Sequence, residues 1–107
     1  MNSQRFDVIM HRQITRCMNV LGVKAGEYGP VDRLHNFRKA AAFKNTTMRQ
    51  VLSGMMLKHT VSIDDMCDST NHFTEAQWNE KITDGINYLI LLRAVVEEEG
   101  FAKEVEK

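Results

Sequence analysis

Apolar residues recur at three- and four-residue steps along most of this chain, the spacing of one face of an α-helix and not the alternation of a strand. Phe6, Ile9, Met10, Ile14, Cys17, Met18 and Leu21 form the first such stripe and predict a helix from Arg5 to Leu21 that stops at Gly22. In the following Lys24-Ala25-Gly26-Glu27-Tyr28-Gly29-Pro30, two glycines and the only proline predict an ordered turn or loop. A short helix is expected from Val31 to Phe43, with Leu34, Phe37 and Ala41 on one side and Arg33, Arg38 and Lys39 elsewhere.

Thr47 followed by Gln50, and Thr74 followed by Gln77, have the form of capping boxes. They open two long helices, one through Cys67 and one through Glu99 with Gly100 as its stop. On the first, Leu52, Met56, Ile63 and Met66 make a core stripe that includes His59; on the second, Trp78, Ile82, Gly85 and Leu89 make the core line. The fold class expected is all-α, a small helical bundle of three long helices and one short one. Ile86, Leu89, Ile90, Leu91, Leu92, Ala94, Val95 and Val96 surround their helix, so it needs cover on several sides. A bundle this small hardly encloses such a helix alone, which predicts a homo-oligomer; the apolar segment is too short for a membrane span.

Composition narrows the class. The chain has 107 residues, of which 43% are hydrophobic, with one Pro and two Cys; this fits one compact domain over residues 1–107 and not a disordered chain. Cys17 and Cys67 lie in apolar stretches without paired spacing, so both are expected as core filler in a reducing cytoplasm. Charge adds a division that the zero net value conceals. Residues 1–60 carry ten Lys+Arg against three Asp+Glu, and residues 61–107 carry four against eleven. A +7 half and a −7 half attract, by pairing a basic face with an acidic one, and leave room for a local phosphate pocket.

Three constellations carry candidate chemistry. Lys58, Ser62 and Asp65 share one helix line, and Glu80, Asp84 and Asn87 another, so antiparallel packing would bring two polar seams together. Asp65, Glu80 and Asp84 are candidate oxygen ligands for Mg²⁺; alternatively these carboxylates are solvated or, for Asp84, neutralised by Lys58 or Arg33. His59 either bonds a buried group as a core histidine or contacts a phosphate or base. Lys24, Arg33, Arg38 and Lys39 surround the glycine-broken segment with Tyr28, Asn36 and Phe37 among them: cations for phosphate, aromatic faces for a base, an amide for its edge. No phosphate-cradling Gly run, dinucleotide fingerprint or nucleophile–His spacing occurs, and no long positive stripe suits genomic nucleic acid.

The order Lys24, Tyr28-Gly29, Arg33, Asn36-Phe37, Gly54, Lys58-His59, Ser62-Ile63, Asp65, Glu80-Lys81-Ile82, Asp84, Ile86-Asn87-Tyr88-Leu89 resembles the phage and prophage nucleotide modification associated domain proteins, over about residues 20–95. That family is distantly similar to the all-α nucleoside triphosphate pyrophosphatases of the MazG-like and dimeric dUTPase group, helical oligomers that hold Mg²⁺ on acidic helix motifs. Those enzymes carry Glu-x-x-Glu and Glu-x-x-Asp pairs; here Lys58, Ser62 and Asp65 stand in the first place and Glu80-x-x-x-Asp84 in the second. The resemblance therefore implies a nucleotide pocket with an incomplete metal cage. The expectation is a host-cytoplasmic, phage-type oligomer that sequesters a nucleotide or cyclic nucleotide signal without turnover. Lys24, Arg33, Lys58 and Lys81 would hold phosphate, and Tyr28, Phe37 or Tyr88 the base, with Asn36, His59 and Asp84 nearby. The alternatives are a Mg²⁺-dependent pyrophosphatase and a helical adaptor for another protein.

Overall fold

In the computed structural model four helices follow one another: α1 Ser3–Tyr28, α2 His35–Lys44, α3 Met48–Asp68 and α4 Glu75–Glu99. The structure describes the backbone of residues 1–28 and 32–103 and the side chains of 1–22 and 32–103. Among the described residues there is no strand, and no helix is long and apolar enough to cross a membrane.

Local chemistry sets the helix ends. Thr47 accepts from the Gln50 N–H, and Thr74 and Gln77 complete a reciprocal capping box, which satisfies backbone donors that the first turn leaves without partners. Gly100, at φ 91°, ends α4 in a conformation that favours glycine. Asn45 ends α2 in the left-handed region; its N–H bonds the Ala42 carbonyl while the Thr46 N–H bonds Ala41, a Schellman closure. Two boundaries differ from expectation. α1 continues through Gly22 to Tyr28, because one glycine costs a helix only about 1 kcal/mol and does not by itself end it. The expected turn at Lys24–Pro30 is thus helical as far as Tyr28, and Gly29 and Pro30 lie outside the described residues. α2 begins at His35 instead of Val31, since the Asp32 carboxylate and carbonyl hold the Leu34 and His35 N–H groups in a preceding turn.

α3 and α4 form an antiparallel hairpin, with the start of α3 beside the end of α4: the Met48 N–H donates to the Glu99 carboxylate at 3.2 Å and Arg49 pairs with the same group at 3.0 Å. α2 packs on α3, and α1 packs on α4. The core lies where α2, α3 and α4 meet, around Leu34, Ala41, Met48, Val51, Leu52 and Val95. Leu52 and Val95 have no exposed surface. Gly85 permits close approach of the hairpin helices, since a Cβ there would stand 3.1 Å from Ile63 Cδ1. The charge division is used at one end of the bundle, where Arg38 pairs with Glu98 and Arg49 with Glu99 across the two halves of the chain.

The stripes are helical as expected, but not all of them are buried within one chain. Among the described residues of α1 only Cys17 is buried, whereas Phe6, Ile9, Met10, Ile14 and Met18 are exposed; this part of the chain packs against α4. On α4 the packed face holds Thr83, Asn87 and Val95, rotated from the expected line, so Ile82 and Leu89 are exposed. Cys67 is exposed rather than core filler, since its neighbour Met66 takes the packed position.

Candidate ligand site at the four-helix junction

All four helices contribute to a cavity of about 170 Å³ lined by Val20 and Leu21 of α1, Phe37 of α2, His59 of α3, and Asp84, Asn87, Tyr88 and Leu91 of α4. Three turns of α4 aim Asp84, Asn87, Tyr88 and Leu91 toward it, at steps of three and four. The His59 and Tyr88 rings approach with centroids 4.8 Å apart and planes inclined by 38°. Phe37, half-buried, adds a second aromatic wall.

The polar chemistry of this cavity is unusual for a bundle interior. Asn87 is 6% exposed, and neither its side-chain nitrogen nor its oxygen has a hydrogen-bond partner; His59 Nδ1 is in the same state. An unmet amide in a packed interior is costly. These groups face a cavity, so a guest with matching donors and acceptors can pair with them. By contrast, the neighbouring buried Thr83 is satisfied: Gln13 Nε2 donates to its hydroxyl at 2.9 Å, joining α1 to α4. Polar residues on the packed face of α4 are therefore paired where helices touch and unpaired where the cavity opens.

Of the residues singled out in the sequence, Phe37, His59, Asp84 and Tyr88 are brought together here. Arg33 lies outside the lining but next to its rim, since its Nη2 donates to the carbonyl of Leu21 at 3.2 Å. Lys58 and Asn36 are exposed, Lys81 is half-buried, and none of the three lines the cavity. The side chains of Lys24 and Tyr28 lie outside the described residues. Among the described residues the lining carries no Lys or Arg, so the expected ring of phosphate-binding cations is not built into the cavity wall.

Asp65, Glu80 and Asp84 are likewise not assembled: among the described residues no group of three or more His, Cys, Asp or Glu is placed to hold a metal ion. Asp65 adjoins Met66, which takes the packed position, and is itself exposed. Glu80 and Asp84 do meet, in a shallower depression between α1 and α4 with Arg16, Asn19 and Thr83. None of the described cations forms an ion pair with Asp84.

An ion pair at the turn that leads into α2 shifts both of its members. Arg38 donates to Asp32 at 2.6 Å and to Glu98 at 2.6 Å. The Arg38 guanidinium, with the Leu34 N–H, holds the Asp32 carboxyl below its ordinary range, and the two carboxylates raise Arg38. This pair fixes the turn before Phe37 against the end of α4.

Val20, Leu21 and Leu91 were not marked by the sequence as site residues, and Asn87 was marked as part of a polar seam and of the resemblance but not as a ligand-binding residue. The available signal for Asn87 was an amide inside the otherwise apolar run from Ile86 to Val96. No protein-family model, curated protein or solved structure matches this chain.

Proposed function

We infer that this protein binds a nucleotide or a nucleotide-derived signalling molecule and holds it without turnover, with the base in the four-helix cavity. The observation that carries this reading is the buried Asn87 amide, unpaired at both polar atoms and facing a cavity between aromatic side chains. An amide offers a donor and an acceptor side by side, the complement of the adjacent acceptor and donor on a base edge. The cavity volume of about 170 Å³ suits one flat ring: an apolar cavity of roughly 150 Å³ holds benzene. Phe37 and Tyr88 supply faces for stacking, which contributes about 1–3 kcal/mol per base in aromatic nucleic-acid platforms. The sugar and phosphate then lie outside, toward Arg33 at the Leu21 rim.

Retention rather than hydrolysis is supported by the position of Asp65 apart from Glu80 and Asp84, so that no three such ligands come together within the described part of one chain. The resemblance to phage nucleotide-associated proteins directs the test toward nucleotides and cyclic nucleotide messengers, and toward a role as a sponge that depletes a host signal. Protein purified from cells containing such messengers is denatured, and the released small molecules are identified by mass spectrometry. An unchanged nucleotide released from the wild type but not from Asn87→Leu supports the reading. Release of monophosphate and pyrophosphate from added nucleotides with Mg²⁺, lost in chelator or in Asp84→Ala, overturns retention in favour of the pyrophosphatase.

A further inference from the structure

We propose that the base held in the four-helix cavity is a pyrimidine, read along one edge of its ring by Asn87 of α4 and His59 of α3. This rests on the nucleotide reading above and narrows it to one class of base. Size and polar pattern both point that way.

The cavity measures about 170 Å³ and takes its walls from all four helices. An apolar cavity of roughly 150 Å³ holds benzene, so a single six-membered ring fills this one. A purine brings a second, fused ring, and a packed interior admits such an excess only by displacing side chains. The walls resist that displacement: Phe37, Tyr88 and Leu91 all pack on the core around Leu52 and Val95. Val20 and Asp84 line both the cavity and the shallower depression between α1 and α4, which places them at its edge. The second ring of a purine would stand at that edge or in the mouth, and its base would lose the aromatic walls.

The polar pattern agrees. Among the described residues the buried side-chain nitrogens and oxygens without a partner are Nδ2 and Oδ1 of Asn87 and Nδ1 of His59, and both residues line this cavity. A pyrimidine presents three polar positions in a row, at C2, N3 and C4. The Asn87 amide matches N3 and the C4 substituent of either uracil or cytosine, because a half-turn of the amide exchanges its donor and its acceptor. His59 Nδ1, as the N–H tautomer, donates to the C2 carbonyl. N1 lies across the ring from C4, so a base seated this way turns its sugar to the mouth, toward the rim where Arg33 bonds the Leu21 carbonyl. Adenine offers two adjacent polar positions on the corresponding edge and leaves His59 unmet. Guanine offers three and is excluded by size alone, which makes it the most demanding comparison.

Calorimetric titration of the full chain tests this with the 5′-monophosphates of uridine, cytidine, adenosine and guanosine and with the cyclic dinucleotides of the same bases. Within each set the pyrimidines are expected to bind on the order of tenfold or more tighter than the purines, as the loss of one stacked base implies. Uridine monophosphate methylated at N3 is expected to bind on the order of tenfold more weakly than the unmodified nucleotide, since the methyl group removes the donor and leaves the Asn87 amide unmet. His59→Leu is expected to weaken both pyrimidines by a similar factor with helicity unchanged by circular dichroism; the methylated nucleotide reads the same edge in unaltered protein. Purines that bind as tightly as pyrimidines overturn the proposal and leave the nucleotide reading standing. The same holds if N3 methylation costs nothing, or if His59→Leu leaves pyrimidine binding untouched. If none of these nucleotides binds, the nucleotide reading falls together with the proposal.

Discussion

Asn87→Leu is expected to stabilise the ligand-free protein while abolishing its ligand. The wild-type side chain is 6% exposed with its amide nitrogen and oxygen both unpaired. An uncompensated buried amide costs about 1–3 kcal/mol by mutational measures. Leucine has the same branched heavy-atom skeleton, its bulkier methyl groups have the adjoining cavity to enter, and it brings no polar group, so removing that penalty should raise stability by about 1–3 kcal/mol. At about 4–8 °C per kcal/mol for a domain near this length, the melting temperature should rise by at least several degrees. In urea the midpoint should increase at unchanged slope, since the surface exposed on unfolding is the same. A ligand at a hundred times its dissociation constant adds about 2.7 kcal/mol to the form that binds it. The order should therefore narrow or reverse when ligand is present, with the wild type gaining and Asn87→Leu gaining nothing. Protein concentration must be held fixed, because association also shifts the midpoint. If Asn87→Leu loses more than about 1 kcal/mol without ligand, the amide is a structural anchor and the argument from its unpaired atoms fails. A functional residue held against stability is the common trade-off at binding sites.

Leu52, fully buried where α2, α3 and α4 meet, should lose about 2–5 kcal/mol as Leu52→Ala, read as a lower denaturant midpoint; a loss under 1 kcal/mol would mean that the junction is not the centre of the core. Thr74→Ala removes the hydroxyl of the complete capping box and should cost about 1 kcal/mol, with faster hydrogen exchange confined to the first turn of α4. The Asp32 carboxyl sits below its ordinary range because Arg38 and the Leu34 N–H bond its ionised form, so its contribution is present above the unfolded value and fades as pH falls through the folded one. The stability difference between the wild type and Asp32→Asn should then be largest near neutrality and shrink below about pH 4, and a difference that grows in acid would contradict the sign.

Much of this protein is local, and that part was legible in the residues. Thr47, Thr74 and Gly100 mark helix ends through bonds and backbone angles spanning a few positions, which is why those boundaries were foreseen within a residue. The stripe spacing established the helices and their amphipathic faces. Even here Gly22 misled, because a glycine is only a weak helix breaker and the following residues decide whether the turn continues. Phe37, His59, Asp84 and Tyr88 were singled out for a pocket and line one cavity, whereas no Lys or Arg expected with them lines it among the described residues.

What periodicity cannot state is which neighbour, if any, covers a face. The α1 stripe and the buried α3 stripe look alike as patterns, yet α3 packs on both α2 and α4 while the described stripe of α1 packs on α4 and stays largely exposed. One residue of rotation on α4 put Asn87 and Val95 inward and Leu89 outward; at α3 the same increment separates buried Met66 from exposed Asp65 and Cys67. Local sequence specifies backbone hydrogen bonds and side-chain spacing, because both depend on residues three or four apart. Burial, the unpaired amide and the separation of Asp65 from Glu80 and Asp84 depend on how helices distant in the chain cross, and only the tertiary structure decides that.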